Sequence, residues 1–266
     1  MTFEIIIPLR NPTEVLDQSI ASLVGQSDRN FSVLLSDNHS AKGHEHLESA
    51  LAELAKSGIP VRKVQPPIEL ERVEHWNWAH YQSTGNWLKP LFVGDWLEPV
   101  YIERVRREIA AHSDCRYVAT KYYLHRPGQE TVVPLNPGWQ AGFFTKAQMQ
   151  ENVLRFGMQF GPPSGAAYER TAFIALGGYP TPLPITSDSL FFCTLAAQFG
   201  IYRIAEPLLH FNIHGNRFST GLPQVRRETK RETTTYYCIL AYHAWTENVT
   251  IPVWGFLRLL ARNFRS

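Results

Sequence analysis

Residues 3–9 read FEIIIPL, an apolar run closed by a proline, the pattern of a strand buried on both faces of a parallel sheet. The next sixteen, NPTEVLDQSIASLVGQ, change period: Val15, Leu16, Ile20, Leu23 and Val24 recur at helical spacing. Asn11 is a candidate cap there, Pro12 suits a first helical position, and Glu14 stands at capping-box spacing. The alternation then repeats. FSVLLSDN (31–38) predicts a strand, GHEHLESALAELAKSG (43–58) a helix ended by Gly58, and VRKVQ (61–65) a third strand. VEHWNWAHYQSTG (73–85) predicts a helix and WLKPLFVG (87–94) a fourth strand, in which Pro90 demands a bulge or marks the strand's start. Such βα units in succession predict an α/β fold, a Rossmann-like, doubly wound, mostly parallel sheet flanked by helices. Its binding crevice should open beyond the carboxyl ends of the strands, where Asp37 and Asp95 fall.

After residue 100 the rhythm is less regular. YIERVRREIAAH predicts a helix and RYVATKYYLHR (116–126) a strand, followed by a Pro- and Gly-rich stretch (127–142) expected to loop over the site. TKAQMQENVLRFG and TAFIALGGY predict helices around a short strand, PSGAAYER. SDSLFFCTLAAQFG (187–200) predicts an amphipathic helix opened by Ser187 and Asp188. Residues 222–247 look helical and polar. In the final PVWGFLRLLARNFR, Arg258, Arg262 and Arg265 share one side and Val253, Leu257, Leu260 and Phe264 the other. That tail (251–266) suits either an anionic membrane surface or packing onto the protein itself or a partner.

Composition narrows the classes. The chain has 266 residues, 44% apolar, enough for a sizeable core, and a net charge of +2, which argues against a strongly electrostatic nucleic-acid binder. Three cysteines, Cys115, Cys193 and Cys238, have no metal or redox spacing and fit a reducing cytoplasm. No signal-peptide succession opens the chain, and no apolar run reaches the ~20 residues of a membrane span. No G-x-G-x-x-G follows the first strand, which disfavours a dinucleotide-dependent oxidoreductase.

Six pieces, in order, resemble family 2 glycosyltransferases of the GT-A fold: IIIPLRN, VLLSDNHS, WNWAHYQSTGNWLKPLFVGDWLEP, PSGAAYERTAFIALGGY, SDSLFF and HFNIHGNRFS. The resemblance spans about residues 3–220. It implies a glycosyltransferase domain over 1–220, with a nucleotide-binding half (1–100) and an acceptor half (101–220), followed by a helical C-terminal extension (221–266). The implied reaction moves a sugar, with inversion, from a nucleotide-diphosphate donor (a UDP-sugar is favoured) to a glycan or lipid-linked acceptor hydroxyl. Bacterial surface-polysaccharide synthesis is the implied setting, in the cytoplasm or at the inner face of the plasma membrane.

The resemblance also implies site residues. Pro8, Asn11 and Asp37 would hold the nucleotide base, although Asn11 can equally be a helix cap and Asp37 an Asx-turn residue. Arg72 and Lys89 match basic positions near the nucleotide, and a solvated arginine or an edge lysine would explain them as well. The family places two or three acids where this chain has Val93, Gly94 and Asp95. Asp95, the one acid left of that set, would ligate Mn²⁺ or Mg²⁺, which a hard cation tolerates when phosphates and waters complete its shell, although Asp95 can also be a cap for WLEP. Gly94 would let ribose or phosphate approach the backbone. Asp188 matches the catalytic base, with Ser187 in place of a neighbouring acid; His214 matches a diphosphate or metal contact, and Arg217 a phosphate contact. Trp139, in the 127–142 stretch, offers a sugar-stacking face. The losses at 94 and 187 leave a second reading open: a catalytically silent relative that binds a nucleotide sugar, a glycan or a partner enzyme.

Overall fold

In the computed structural model, the described residues are 1–126, 128–134, 140–156, 160–183, 185–213 and 228–235. They form one mixed sheet in the order Val61–Val64, Ser32–Asp37, Phe3–Leu9, Trp87–Pro90, Ala166–Glu169, Tyr117–Arg126, Ile201–Asn212 and Trp96–Leu97, with Gln129–Pro134 added beside Tyr117–Arg126 and Gly142–Phe144 beside Ile201–Asn212. The first four are β1 (Phe3–Leu9), β2 (Ser32–Asp37), β3 (Val61–Val64) and β4 (Trp87–Pro90), all parallel as expected. Between them run α1 (Val15–Val24), α2 (His44–Lys56) and α3 (Arg72–Tyr81). Two apolar clusters explain why β1 is apolar throughout. Ile5 and Ile7 face the side of Leu16, Ile20 and Leu54, while Ile6 faces the side of Val73, Phe173 and Phe191. Burying each such side chain contributes about 1.5–3 kcal/mol, so neither face of β1 tolerates a polar residue without support. Glu4 has that support: Ser83 Oγ, the Thr84 and Gly85 amides and Arg62 donate to its carboxylate.

The second half adds β5 (Trp96–Leu97), α4 (Tyr101–Ala111), β6 (Tyr117–Arg126), β7 (Gln129–Pro134), β8 (Gly142–Phe144) and α5 (Lys146–Phe156). A 3₁₀ turn (Pro163–Gly165) then leads into β9 (Ala166–Glu169), α6 (Arg170–Ala175), α7 (Ser187–Phe199) and β10 (Ile201–Asn212). Strand β9 runs antiparallel to both β4 and β6, and β10 is parallel to β6.

Several sequence expectations are corrected. Pro90 is neither bulge nor start but the last residue of β4; the next amide, Leu91, continues the ladder to Ile6 O at 2.9 Å. Asn11 does not cap α1. It sits at φ +50°, and its Oδ1 accepts from the Ala41 and Lys42 amides, while the residue before α1 is Glu14, without a capping hydrogen bond. Part of 127–142 is sheet rather than loop, because β7 forms a hairpin with β6. Helix α7 is buried on most of its circumference instead of being amphipathic, since α5, α6 and β6 enclose it. Strand β10 has no counterpart among the predicted elements: register shifts around Pro207 break its alternation. No helix among the described residues is long and apolar enough to cross a membrane.

Candidate active site

The turn after β4 is built from local chemistry. Asp95 N donates to Phe92 O at 3.0 Å, and Gly94, at φ +92°, occupies the left-handed position such a turn requires. Two serines from distant elements fasten it. Ser19 Oγ of α1 donates to Asp95 O (2.7 Å) and accepts from Gly94 N (3.1 Å). Ser164 Oγ donates to Asp95 Oδ2 (2.6 Å) and accepts from Phe92 N (3.0 Å). Asn212 N of β10 donates to Asp95 Oδ1 at 3.2 Å. Asp95 is therefore 1% exposed, its two oxygens engaged by protein donors. Lys89, fully buried below it, donates to Pro90 O (2.7 Å) and Ser164 O and lies 4.8 Å from the centre of the Tyr101 ring. Burial lowers the Lys89 pKa to about 7, against the pull of Asp95.

A cavity of about 440 Å³ opens between this turn, the end of β1, the start of α3 and the start of α7. It gathers Pro8, Asn11, Arg72, Asp95 and Asp188 from four separate stretches of the chain. Trp76 and Phe92, 4.6 Å apart in edge contact, line it too, and the Arg72 guanidinium lies 4.8 Å from the Trp76 ring centre. Burial lowers the pKa of Arg72, countered by the charges of Asp188 and Glu232. Asp188, in the first turn of α7, is partly buried, and its Oδ1 accepts from Ser189 N (2.7 Å) and Ser189 Oγ (3.2 Å). Loss of solvent around the carboxylate raises its pKa above the ordinary value, opposed by the Ser189 hydrogen bonds and by Arg72.

Three expected contacts stand apart from the cavity lining. Asp37 is buried at the end of β2, where its Oδ1 accepts from Ser40 N (3.1 Å) and Ser40 Oγ (2.5 Å), the Asx-turn arrangement. Ser40 Oγ in turn accepts from Asn11 N at 2.7 Å, so Asp37 shapes the Asn11 wall from behind. Lys89 lies under the turn, and Gly94 serves turn geometry. His214, Arg217, Trp139, Cys238 and the cationic tail lie outside the described residues. Among the described residues no group of three or more histidines, cysteines, aspartates or glutamates is placed to hold a metal ion. Asp95 reaches the cavity while accepting one hydrogen bond on each carboxylate oxygen, from Ser164 and Asn212.

Sequence reasoning did not single out Ser19, Ser164, Trp76 or Glu232. Ser164 lies inside the quoted PSGAAYER, but its partner Asp95 is 69 residues away and nothing local signals the pair. Trp76, in EHWNW, reads as an ordinary helix residue until α3 is docked.

No protein-family model matches the sequence, and no curated protein matches it. Solved structures do. S. aureus TarS 1–349 in complex with UDP-GlcNAc matches with TM-score 0.68 at 15% identity, over 91% of this chain and 71% of that one. Full-length S. aureus TarS matches with TM-score 0.64 at 16% identity, and this chain spans 42% of its length. The mannosyltransferase PcManGT from Pyrobaculum calidifontis, in complex with GDP-Man and Mn²⁺, matches with TM-score 0.62 at 14% identity, over 90% of this chain and 64% of that one. These likenesses establish the fold, a mostly parallel sheet flanked by helices as in GT-A glycosyltransferases.

Proposed function

We propose that the protein is a nucleotide-sugar-dependent glycosyltransferase, similar to family 2, that transfers with inversion. The observation that carries this reading is the cavity at the carboxyl ends of β1 and β4 lined by Pro8, Asn11, Arg72, Asp95 and Asp188. The turn from Pro8 to Asn11 would hold the nucleoside. Arg72 and Arg10, both on the cavity wall, would face the diphosphate and offset the charge that grows on it. Asp188 would take the proton from an acceptor hydroxyl while that oxygen attacks the anomeric carbon. The bond to the diphosphate breaks with its electron pair, and the configuration at carbon inverts. A carboxylate whose pKa is raised suits this role, because it binds the abstracted proton more strongly than a free carboxylate would.

Both nucleotide classes have a precedent on this fold, UDP-GlcNAc bound to TarS and GDP-Man bound to PcManGT. The acceptor we propose is a glycan or lipid-linked saccharide, with surface-polysaccharide assembly as the setting. One observation favours a silent binder instead: the Asp95 carboxylate is engaged within the protein. Calorimetric titration with UDP and GDP, followed by release of diphosphate from UDP-GlcNAc and GDP-mannose, separates the readings. Binding with turnover supports the transferase, binding without turnover the silent relative, and no binding of either nucleotide would sink both.

A further inference from the structure

We propose that Glu232 is a positioning residue for Asp188: from the segment following the α/β core it clamps the backbone that leads into α7 and shares Arg72 with the base. This rests on the reading of Asp188 given above.

Residues 228–235 form a helical segment, and Glu232 within it is buried. Its Oε2 accepts three hydrogen bonds, from Ile185 N (3.0 Å), Thr186 N (2.8 Å) and Thr186 Oγ1 (3.0 Å). Thr186 immediately precedes α7 and is the residue whose hydroxyl would ordinarily cap the helix. Here that hydroxyl donates outward to Glu232, and Thr186 makes no side-chain capping bond. Ile185 and Asp188, on either side of the clamped residue, both line the cavity. A carboxylate 46 residues further along the chain therefore sets where the first turn of α7, and with it Asp188, meets the cavity.

Positioning alone would not require a charge, since a glutamine carbonyl could accept the same bonds without the desolvation cost of a buried carboxylate. The charge has an electrostatic consequence. Arg72 interacts with both Asp188 and Glu232. The negative charge of Glu232 opposes the field of that guanidinium, so Asp188 keeps a stronger hold on a proton than Arg72 alone would leave it. Clamp and charge then act on the same group.

The test uses the full chain with Glu232→Gln, Glu232→Ala and Asp188→Asn. Carbon-13 carboxylate NMR reads the Asp188 titration directly, with Asp188→Asn assigning the signal, and calorimetry reads UDP affinity. Removing the charge should move the Asp188 midpoint to lower pH in Glu232→Gln while UDP affinity stays within about threefold, under 0.7 kcal/mol. With donor turnover as the second readout, Glu232→Ala should lose about 10–100-fold in kcat, the scale of a misplaced catalytic group. Glu232→Gln should recover most of that loss, with the acid limb of its pH profile displaced downward. An unmoved Asp188 midpoint in Glu232→Gln overturns the proposal. So does an equal loss of kcat, UDP affinity and melting temperature in both variants, which would make Glu232 a residue of the fold alone. Full turnover in Asp188→Asn would instead remove the base reading, whatever the Glu232 variants do.

Discussion

Two aspartates, Asp95 after β4 and Asp188 at the start of α7, line one cavity and look alike in the sequence, each an acid at an element end. Their surroundings differ. Asp95 is held by Ser164 and Asn212, its peptide is bolted to Ser19, and a buried lysine lies beneath. Asp188 is fastened through Oδ1 to its neighbour Ser189, opens on the cavity, and has a raised pKa. A carboxylate that accepts on both oxygens from distant parts of the chain ties those parts together, whereas one held in position at a higher proton affinity is suited to take a proton. Proximity to a cavity does not distinguish these roles, but hydrogen-bond satisfaction does.

The sharpest way to break this contrast is Asp188→Asn. It should cut turnover by about 10²–10⁴ while leaving nucleotide affinity nearly unchanged, because a positioned general base is worth that much to the rate and little to binding. In the wild type, turnover should rise with pH as Asp188 loses its proton, through a midpoint above the usual carboxylate range. A pH-independent rate in that region would count against it.

Next in size is Asp95→Ala, read by urea unfolding. Two donors, the buried Ser164 Oγ and the part-buried Asn212 N, lose their acceptor, and an unpaired buried group costs about 1–3 kcal/mol, so the pair sets an upper range of about 2–6. Asp95→Asn keeps one carbonyl acceptor and should lose less. If Asp95→Ala keeps wild-type stability yet loses UDP binding, Asp95 belongs with Asp188 among the substrate-facing groups and the contrast collapses.

The smallest effect concerns Lys89. Its folded pKa is depressed to about 7, so between that pH and the ordinary lysine value the unfolded chain carries a proton that the folded chain lacks. Stability contributed by this group therefore rises with pH across the window, by at most about 1.4 kcal/mol per unit, and is flat below it. Lys89→Met should remove that slope, visible as the difference between the two proteins in unfolding free energy at pH 7.0 and 8.5. Parallel curves would mean that the lysine stays charged in the fold.

Much of the architecture could be read from the chain because period and burial are local signals. The apolar β1 run, the 3.6-residue spacing in α1 and α2 and the strand preceding Asp37 all match the observed elements to within a few residues. Pro8, Asn11, Arg72, Asp95 and Asp188 line one cavity because the topology collects the element ends near which they sit, while Asp37, Lys89 and Gly94 are not on its lining. Where a reading depended on partners far along the chain, it failed or stayed double. Asn11 passes for a helix cap until the loop after β2 folds over it. Strand β10 is concealed by the irregularity at Pro207, and nothing around Glu232 announces that it grips residues 185 and 186.

The sequence by itself determined the elements, their order, the doubly wound parallel start and the acids available for chemistry, because backbone preference and hydrophobic period act over a few residues. Only the tertiary structure decided what each acid does. Whether a carboxylate is neutralised, clamped or left facing a cavity depends on donors supplied by chain segments dozens of residues away, and those donors meet it only once the sheet has assembled.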